Sequence, residues 1–242
     1  LKQKYRHLTN YAINKNAPQY VHSKSVDDDG FKSSKWSFKT LRKKYQELGI
    51  DFDVILGKIK DIIIKTIISA EPYMLYGIHK SHILHKKCYE VYGFDILLDD
   101  NLNAWLMEVN ISPSLTTDSP LDDMIKTRLI SDTINLIGLK VETPETINEK
   151  EELIGRISNR NYKKLENLNW DNCIDKLNPE DWEILFESEE EFYRRGHFEL
   201  IFPLKENIEE YKKFFEFERY NNILLWKYKT LDKNILERIT KL

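Results

Sequence analysis

The spacing of apolar positions changes several times along the chain. From Ser37 onward, Phe38, Leu41, Tyr45 and Leu48 recur at three- and four-residue intervals and Gly49 closes the run, which predicts a helix with a glycine stop. Ile55, Ile59, Ile62, Ile63 and Ile67 form a second stripe. They predict a longer helix from about 53 to at least 68, with Pro72 as a kink or an end. The period then drops to two. Phe94, Ile96 and Leu98, and again Trp105, Met107 and Val109, predict strands at about 88–98 and 104–110. Ser119-Pro120-Leu121-Asp122-Asp123 has the order of a helix start, namely a capping serine, proline at the first position and then acids, and that helix runs to Gly138. Asn178-Pro179-Glu180-Asp181 repeats the logic, and 206–226 reads as one aromatic-rich helical region. Residues 14–35 are polar and read as a mobile loop, and 140–150 read as a linker. The expected fold is mixed α/β (α+β) over residues 1–142, followed by a mostly helical extension over 143–242.

The two strands and the turn residues Asp99, Asp100, Asn101 and Asn103 predict an antiparallel hairpin. A turn centred between Asn101 and Leu102 pairs Phe94 with Val109, Ile96 with Met107 and Leu98 with Trp105, so the apolar face closes on itself. The same register sets Asp95 opposite Glu108, with Asn110 two residues further on the same face. Two carboxylates and an amide oxygen are hard ligands, few in number, and suit Mg²⁺ completed by water and phosphate oxygens. Without a cation, such neighbours repel and one carboxyl pKa rises. An ordinary amphipathic hairpin with a wet polar face has the same pattern. Two features favour a functional rim: the irregular exit Ile111-Ser112-Pro113-Ser114, and Gly93, which permits a close approach beside Asp95.

Composition narrows the classes. The 242 residues are 41% hydrophobic and 32% charged, enough for a core beneath a charged surface, which excludes a disordered tail and a disulfide mini-protein. No apolar run approaches a membrane span. Cys88 and Cys173 share no metal-like spacing, which suits a reducing compartment. Net charge is +1 over residues 1–150 and −4 over 151–242, so neither half is a basic nucleic-acid platform. An acidic partner would have to be met by local patches such as Arg194-Arg195, Lys212-Lys213 or Lys227 with Lys229, which are equally ordinary solvated helix charges.

Other clusters are weaker. Arg6-His7-Leu8-Thr9-Asn10-Tyr11 offers an imidazole, a hydroxyl and an amide that could contact a phosphate or ribose, or form a plain polar turn. His79, His82 and His85 near Cys88 read more simply as a polar loop than as a metal site. Tyr211, Phe214, Phe215, Phe217, Tyr220 and Trp226 lie close to helical spacing and read as a helix packed on the rest of the chain.

Four of these stretches occur together and in order: His7-Leu-Thr-Asn-Tyr-Ala-Ile-Asn-Lys15, Asp61-Ile-Ile-Ile-Lys-Thr-Ile-Ile-Ser69, Tyr92-Gly-Phe-Asp-Ile-Leu-Leu-Asp99 and Trp105-Leu-Met-Glu-Val-Asn-Ile-Ser-Pro-Ser114. Over about residues 5–139 the chain resembles the tubulin tyrosine ligase-like family of ATP-grasp enzymes. Glu191–Pro203 and Phe215–Leu225 resemble the extension after the ligase core in polyglutamylase-type members.

The resemblance implies the carboxy-terminal portion of an ATP-grasp fold and ATP-dependent amide ligation, in which a carboxylate is phosphorylated and then attacked by an amine. It implies Asp95, Glu108 and Asn110 as Mg²⁺–ATP ligands, His7, Thr9 and Asn10 as nucleotide contacts, and Met107 beside the nucleotide. Lys65 is a candidate for binding an acidic substrate group, or a solvated helix lysine. Leu8-Thr-Asn-Tyr-Ala-Ile-Asn14 is similar to the glutamylases, so the implied activity is addition of glutamate to tubulin tails. Glycine ligation and a non-catalytic tubulin scaffold are the alternatives. The family's amino-terminal catalytic half, with its phosphate-binding lysines, lies outside the resemblance, so this stretch alone is not expected to be a competent ligase. The implied partners are tubulin or microtubules and glutamate, with no nucleic acid, no membrane and a monomeric state. The implied location is the cytoplasm and cytoskeleton, with cilia, flagella or basal bodies by the same analogy.

Overall fold

A computed structural model describes residues 5, 10–26, 31–80, 88–139 and 177–231. Local chemistry sets most element ends. Asn10 caps α1 (Tyr11–Asn14), its Oδ1 accepting from the Ala12 amide at 2.8 Å. Ser37 caps α2 (Phe38–Glu47) through the Thr40 amide, and Gly49 at φ +71° ends that unit. Ser119 caps α4 (Pro120–Ile137), and Gly138 at φ +61° ends it in the left-handed conformation. A full capping box between Asn178 and Asp181 opens α5 (Pro179–Arg194). These starts and stops agree with the sequence.

The long helix α3 spans Phe52–Lys80 and runs through Pro72. Of the two expectations for Pro72, a kink or an end, the end is excluded, because a helix anchored on both sides tolerates one missing donor. Its deepest positions also differ from the expected stripe. Phe52, Ile55, Ile64 and Ile68 are buried, whereas Ile59, Ile62, Ile63 and Ile67 are half-buried. The reason is that α3 is covered from two directions. The hairpin β1 (Gly93–Leu98) and β2 (Ala104–Asn110) packs along it. Its Lys58 ammonium reaches the hairpin turn at Leu102 O and Asn103 Oδ1, and Met74 Sδ receives the Tyr92 hydroxyl. From another side, Tyr211 buries with Ile64 and Ile68, joined by Ile201, Phe202 and Phe215.

The expected helical region at 206–226 is two helices, α6 (Ile208–Lys212) and α7 (Tyr220–Thr230), with a break between them. The break lets Tyr211 and Phe215 turn onto α3 while Ile223 and Leu224 turn onto Leu185 of α5. Full burial of such a Leu or Ile stabilises by about 1.5–3 kcal/mol. Polar bonds fasten the same seam. Tyr211 donates to Asp61 Oδ1 at 2.8 Å, Lys60 pairs with Glu199 at 2.5 Å, and Arg219 pairs with Glu71.

A second fastening joins α4 to the turn after α5. Asp132 Oδ2 accepts the His197 amide at 3.0 Å and lies 2.9 Å from His197 Nδ1. Gly196 makes this approach available. It sits at φ +56°, and a Cβ there would lie 2.2 Å from Asp132 Oδ1.

The loop after α1 is tied rather than loose over its described part. Ser34 N donates to Val21 O, the Val21 amide donates to Ser34 Oγ, and Ala17, Ser23 and Ser33 are buried. Asp27–Gly30 and the linker at 140–150 lie outside the described residues, as do His82 and His85. No helix among the described residues is long and apolar enough to cross a membrane.

Candidate functional site

The hairpin pairs Gly93 with Asn110, Phe94 with Val109 and Asp95 with Glu108, as the sequence predicts, and then slips by one residue. Beyond Asp95 the partners are Ile96 with Leu106, Leu97 with Trp105 and Leu98 with Ala104. Met107 is thus an extra residue, a β-bulge. The turn explains it. Asp99 N donates to Asn103 O and Leu102 N to Asp99 O, centring the turn on Asn101 rather than between Asn101 and Leu102. The bulge restores the register needed to face Asp95 with Glu108.

The slip corrects the expected apolar face. Trp105 leaves the Val109 side and joins Leu97 on the carboxylate side. Leu97, Trp105 and Met107 are 49%, 58% and 63% exposed. A signal for this lay in the sequence: Ala104-Trp105-Leu106-Met107 is a continuous apolar run, not an alternation. The Trp105 indole is aimed by its bond to Asp99 Oδ2 at 3.1 Å. Asp99 also accepts from the Asn101 and Asn103 amides at 2.9 and 2.8 Å. These bonds, led by the Asn103 amide and the Trp105 indole, pull its pKa down to about 2.

The resulting face carries Asp95, Glu108 and Asn110 beside a wet apolar strip. Asn110 Nδ2 donates to Glu108 Oε1 at 3.1 Å. Burial, and next the Glu108 carboxylate beside it, push the Asp95 pKa up. That is the electrostatic state of two carboxylates that would gain from a shared cation. Among the described residues no group of three or more His, Cys, Asp or Glu gathers as a metal site. This donor set of two carboxylates and one amide fits a Mg²⁺ that takes its other oxygens from phosphate and water. Gly93 is needed for another close approach. A Cβ there would lie 3.0 Å from Pro113 Cβ, so the glycine lets the exit loop fold back over the start of β1.

Of the other sequence candidates, Asn10 lies at the α1 cap, with its Oδ1 committed to Ala12. His7 and Thr9 lie outside the described residues. Lys65 bonds Asp61 at 2.8 Å and stands 5.4 Å from the Phe214 ring centroid. Among the described residues no hydrogen bond or ion pair joins it to Asp95, Glu108 or Asn110. Sequence reasoning missed what ties the α1 segment to the hairpin exit. Tyr11 donates to Asp118 Oδ2 at 2.9 Å, and Lys35 bonds Asp122 Oδ2 at 2.8 Å. These links span about a hundred residues, and no local pattern announces them.

Residues 1–150 match the tubulin-tyrosine ligase family. The chain belongs to that family. Tubulin-tyrosine ligase relatives align over nearly its whole length. The tubulin monoglutamylase TTLL4 of Mus musculus is 36% identical over 93% of this chain, and the tubulin polyglutamylase ttll-4 of Caenorhabditis elegans is 37% identical over 93%. The tubulin polyglutamylase TTLL6 of Mus musculus is 37% identical over 87%. The chain spans 21%, 39% and 24% of those relatives' own lengths. In this family member, the paired carboxylates sit inside the matched region and residues 177–231 sit beyond it.

Proposed function

We propose that the protein containing this chain is an ATP-dependent ligase that adds glutamate to glutamate side chains of tubulin tails. The observation that carries the reading is the directly opposed pair Asp95 and Glu108, the Asp95 pKa raised by burial and by Glu108, with Asn110 bonded to Glu108, on an exposed face. The aligned relatives are named as tubulin glutamylases, which favours glutamate over glycine as the amino acid transferred. In this reading residues 1–142 are the carboxy-terminal part of an ATP-grasp ligase domain and 143–242 a mainly helical extension. The described part of that extension is bolted to α3 and α4 by the Tyr211–Asp61 and His197–Asp132 bonds.

Asp95, Glu108 and Asn110 would hold Mg²⁺ carried with ATP. The ion would neutralise charge on the transferring phosphoryl group. The chain's own residues hold the geometry. The bulge at Met107 sets the two carboxylates in register. Leu97, Trp105 and Met107 offer an apolar strip for the nucleotide's less polar parts. Asn10, with His7 and Thr9, would contact the nucleotide from the α1 side. Lys65, held by Asp61, is retained as a contact for an acidic substrate group. The partners are tubulin and free glutamate, and the place of work is the microtubule cytoskeleton, including cilia.

The test is glutamylation of microtubules by the full-length protein with labelled glutamate, for the parent and for Asp95→Ala and Glu108→Ala. Loss in both variants, with glutamate preferred over glycine in competition, is the expected result. Retained activity in either variant would overturn the reading.

A further inference from the structure

A cavity of about 330 Å³ lies in the seam between α3 and the residues that follow α5. Its apolar walls come from three places: Ile63 and Ile67 on α3, Ile201 and Pro203 before α6, and Phe215 after it. The α3 wall continues to Glu71, which lies about 12 Å along the helix axis from Ile63. The cavity is therefore elongated, with room for about ten groups the size of a water.

One end is polar. Glu71 is paired with Arg219 at the start of α7, and Asn222 follows one turn later on the same side of that helix. Asn222 Nδ2 and Arg219 Nε are buried and make no hydrogen bond among the described residues. Asn222 as a residue is only half-buried and lines the cavity, so a turn of its amide brings the N–H donors to a guest. An unpaired buried donor is costly, and an acceptor that reaches it relieves that cost.

These features select a class of guest. Water alone fills such a space poorly, because an ordered water needs about two to four polar partners and the isoleucine walls offer none. A plain hydrocarbon would leave the Asn222 amide unmet. A carboxylate or phosphate would face the Glu71 charge in a poorly hydrated place, as the lowering of the Arg219 pKa by burial shows. An ammonium would find Glu71 already neutralised by Arg219. What complements the cavity is an uncharged acceptor on an apolar body.

We propose that this cavity binds an elongated, uncharged molecule of about ten non-hydrogen atoms. Its hydrocarbon body lies along Ile63, Ile67 and Phe215, and one carbonyl oxygen accepts from the Asn222 amide. Because the walls come from both sides of the seam, the guest also ties residues 201–222 to α3. This binding does not depend on ligation, so its test stands whatever is found at Asp95 and Glu108.

The test uses the full-length protein with isotope-labelled isoleucine methyl groups, and methyl hexyl ketone as the probe. The methyl resonances of Ile63, Ile67 and Ile201, identified by single replacements such as Ile67→Val, should shift and saturate with a dissociation constant of about 1 mM or tighter. Heptanoate, the carboxylate of equal size, should bind about ten-fold more weakly or worse. Asn222→Leu keeps the bulk and removes the donor. It should weaken the ketone about five- to ten-fold, as for one lost hydrogen bond. The proposal is overturned if the ketone gives no saturable shift at these methyls, if heptanoate binds as well or better, or if Asn222→Leu binds the ketone like the parent. The first two results need only the parent, so they decide the matter even should Asn222→Leu fail to fold.

Discussion

Asp95 and Glu108 face each other directly across the β1–β2 ladder, at the last pair before the bulge at Met107. The placement is electrostatically unfavourable without a cation, as the raised Asp95 pKa records. Raised in the fold, this carboxyl costs stability as pH rises through the ordinary carboxylate range and above. Asp95→Asn should therefore leave the thermal midpoint unchanged or higher at neutral pH, while lowering Mg²⁺-dependent ligation by about 100-fold or more in the full-length protein. Thermal melts and ligation rates on the same preparation check both halves.

The turn bonds at Asp99 make a pH prediction of opposite sign. With its pKa held at about 2 in the fold, this carboxylate contributes stability that is fully present above the unfolded value near 3.9. That contribution is lost as pH falls through about 2. Asp99→Asn should flatten the stability profile between about pH 4 and 2, read by circular dichroism melts.

Two glycines at positive φ separate backbone strain from crowding. Gly49 at φ +71° has nothing within 4 Å of a built Cβ, whereas at Gly196 that atom would lie 2.2 Å from Asp132 Oδ1. Gly49→Ala should cost about 1 kcal/mol, the left-handed penalty alone. Gly196→Ala should cost about 2–4 kcal/mol, because the Asp132–His197 bond is displaced as well. Urea titrations give both values.

The seam between α3 and residues 177–231 can be weighed by the Tyr211 hydroxyl. Tyr211→Phe keeps the ring against Ile64 and Ile68 but removes the donor to Asp61. It should destabilise by about 1–2 kcal/mol. Ile68→Ala, which opens a cavity in the same place, should cost about 2–5 kcal/mol. A denaturant series ranks the two.

Local chemistry was enough for the helix starts at Ser37, Ser119 and Asn178, where a side chain reaches an amide three residues away, and for the stop at Gly138, where glycine takes the left-handed conformation. It was also enough to set Asp95 against Glu108, because strand alternation is a local rule and one apolar face had to be buried. It did not reveal the bulge at Met107, since Asp99 collects its turn bonds in three dimensions and moves the centre by half a residue. The break between α6 and α7 and the bonds Lys35–Asp122, Tyr11–Asp118 and His197–Asp132 were equally hidden, and the pattern left open whether α3 ends at Pro72. These depend on which surfaces meet across distant parts of the chain, 65 to 150 residues apart for the bonds that fasten them, and no pattern confined to a neighbourhood carries that information. The residue types of the site are therefore written in its motifs. Which face Trp105 presents, and what encloses Lys35, follow from packing.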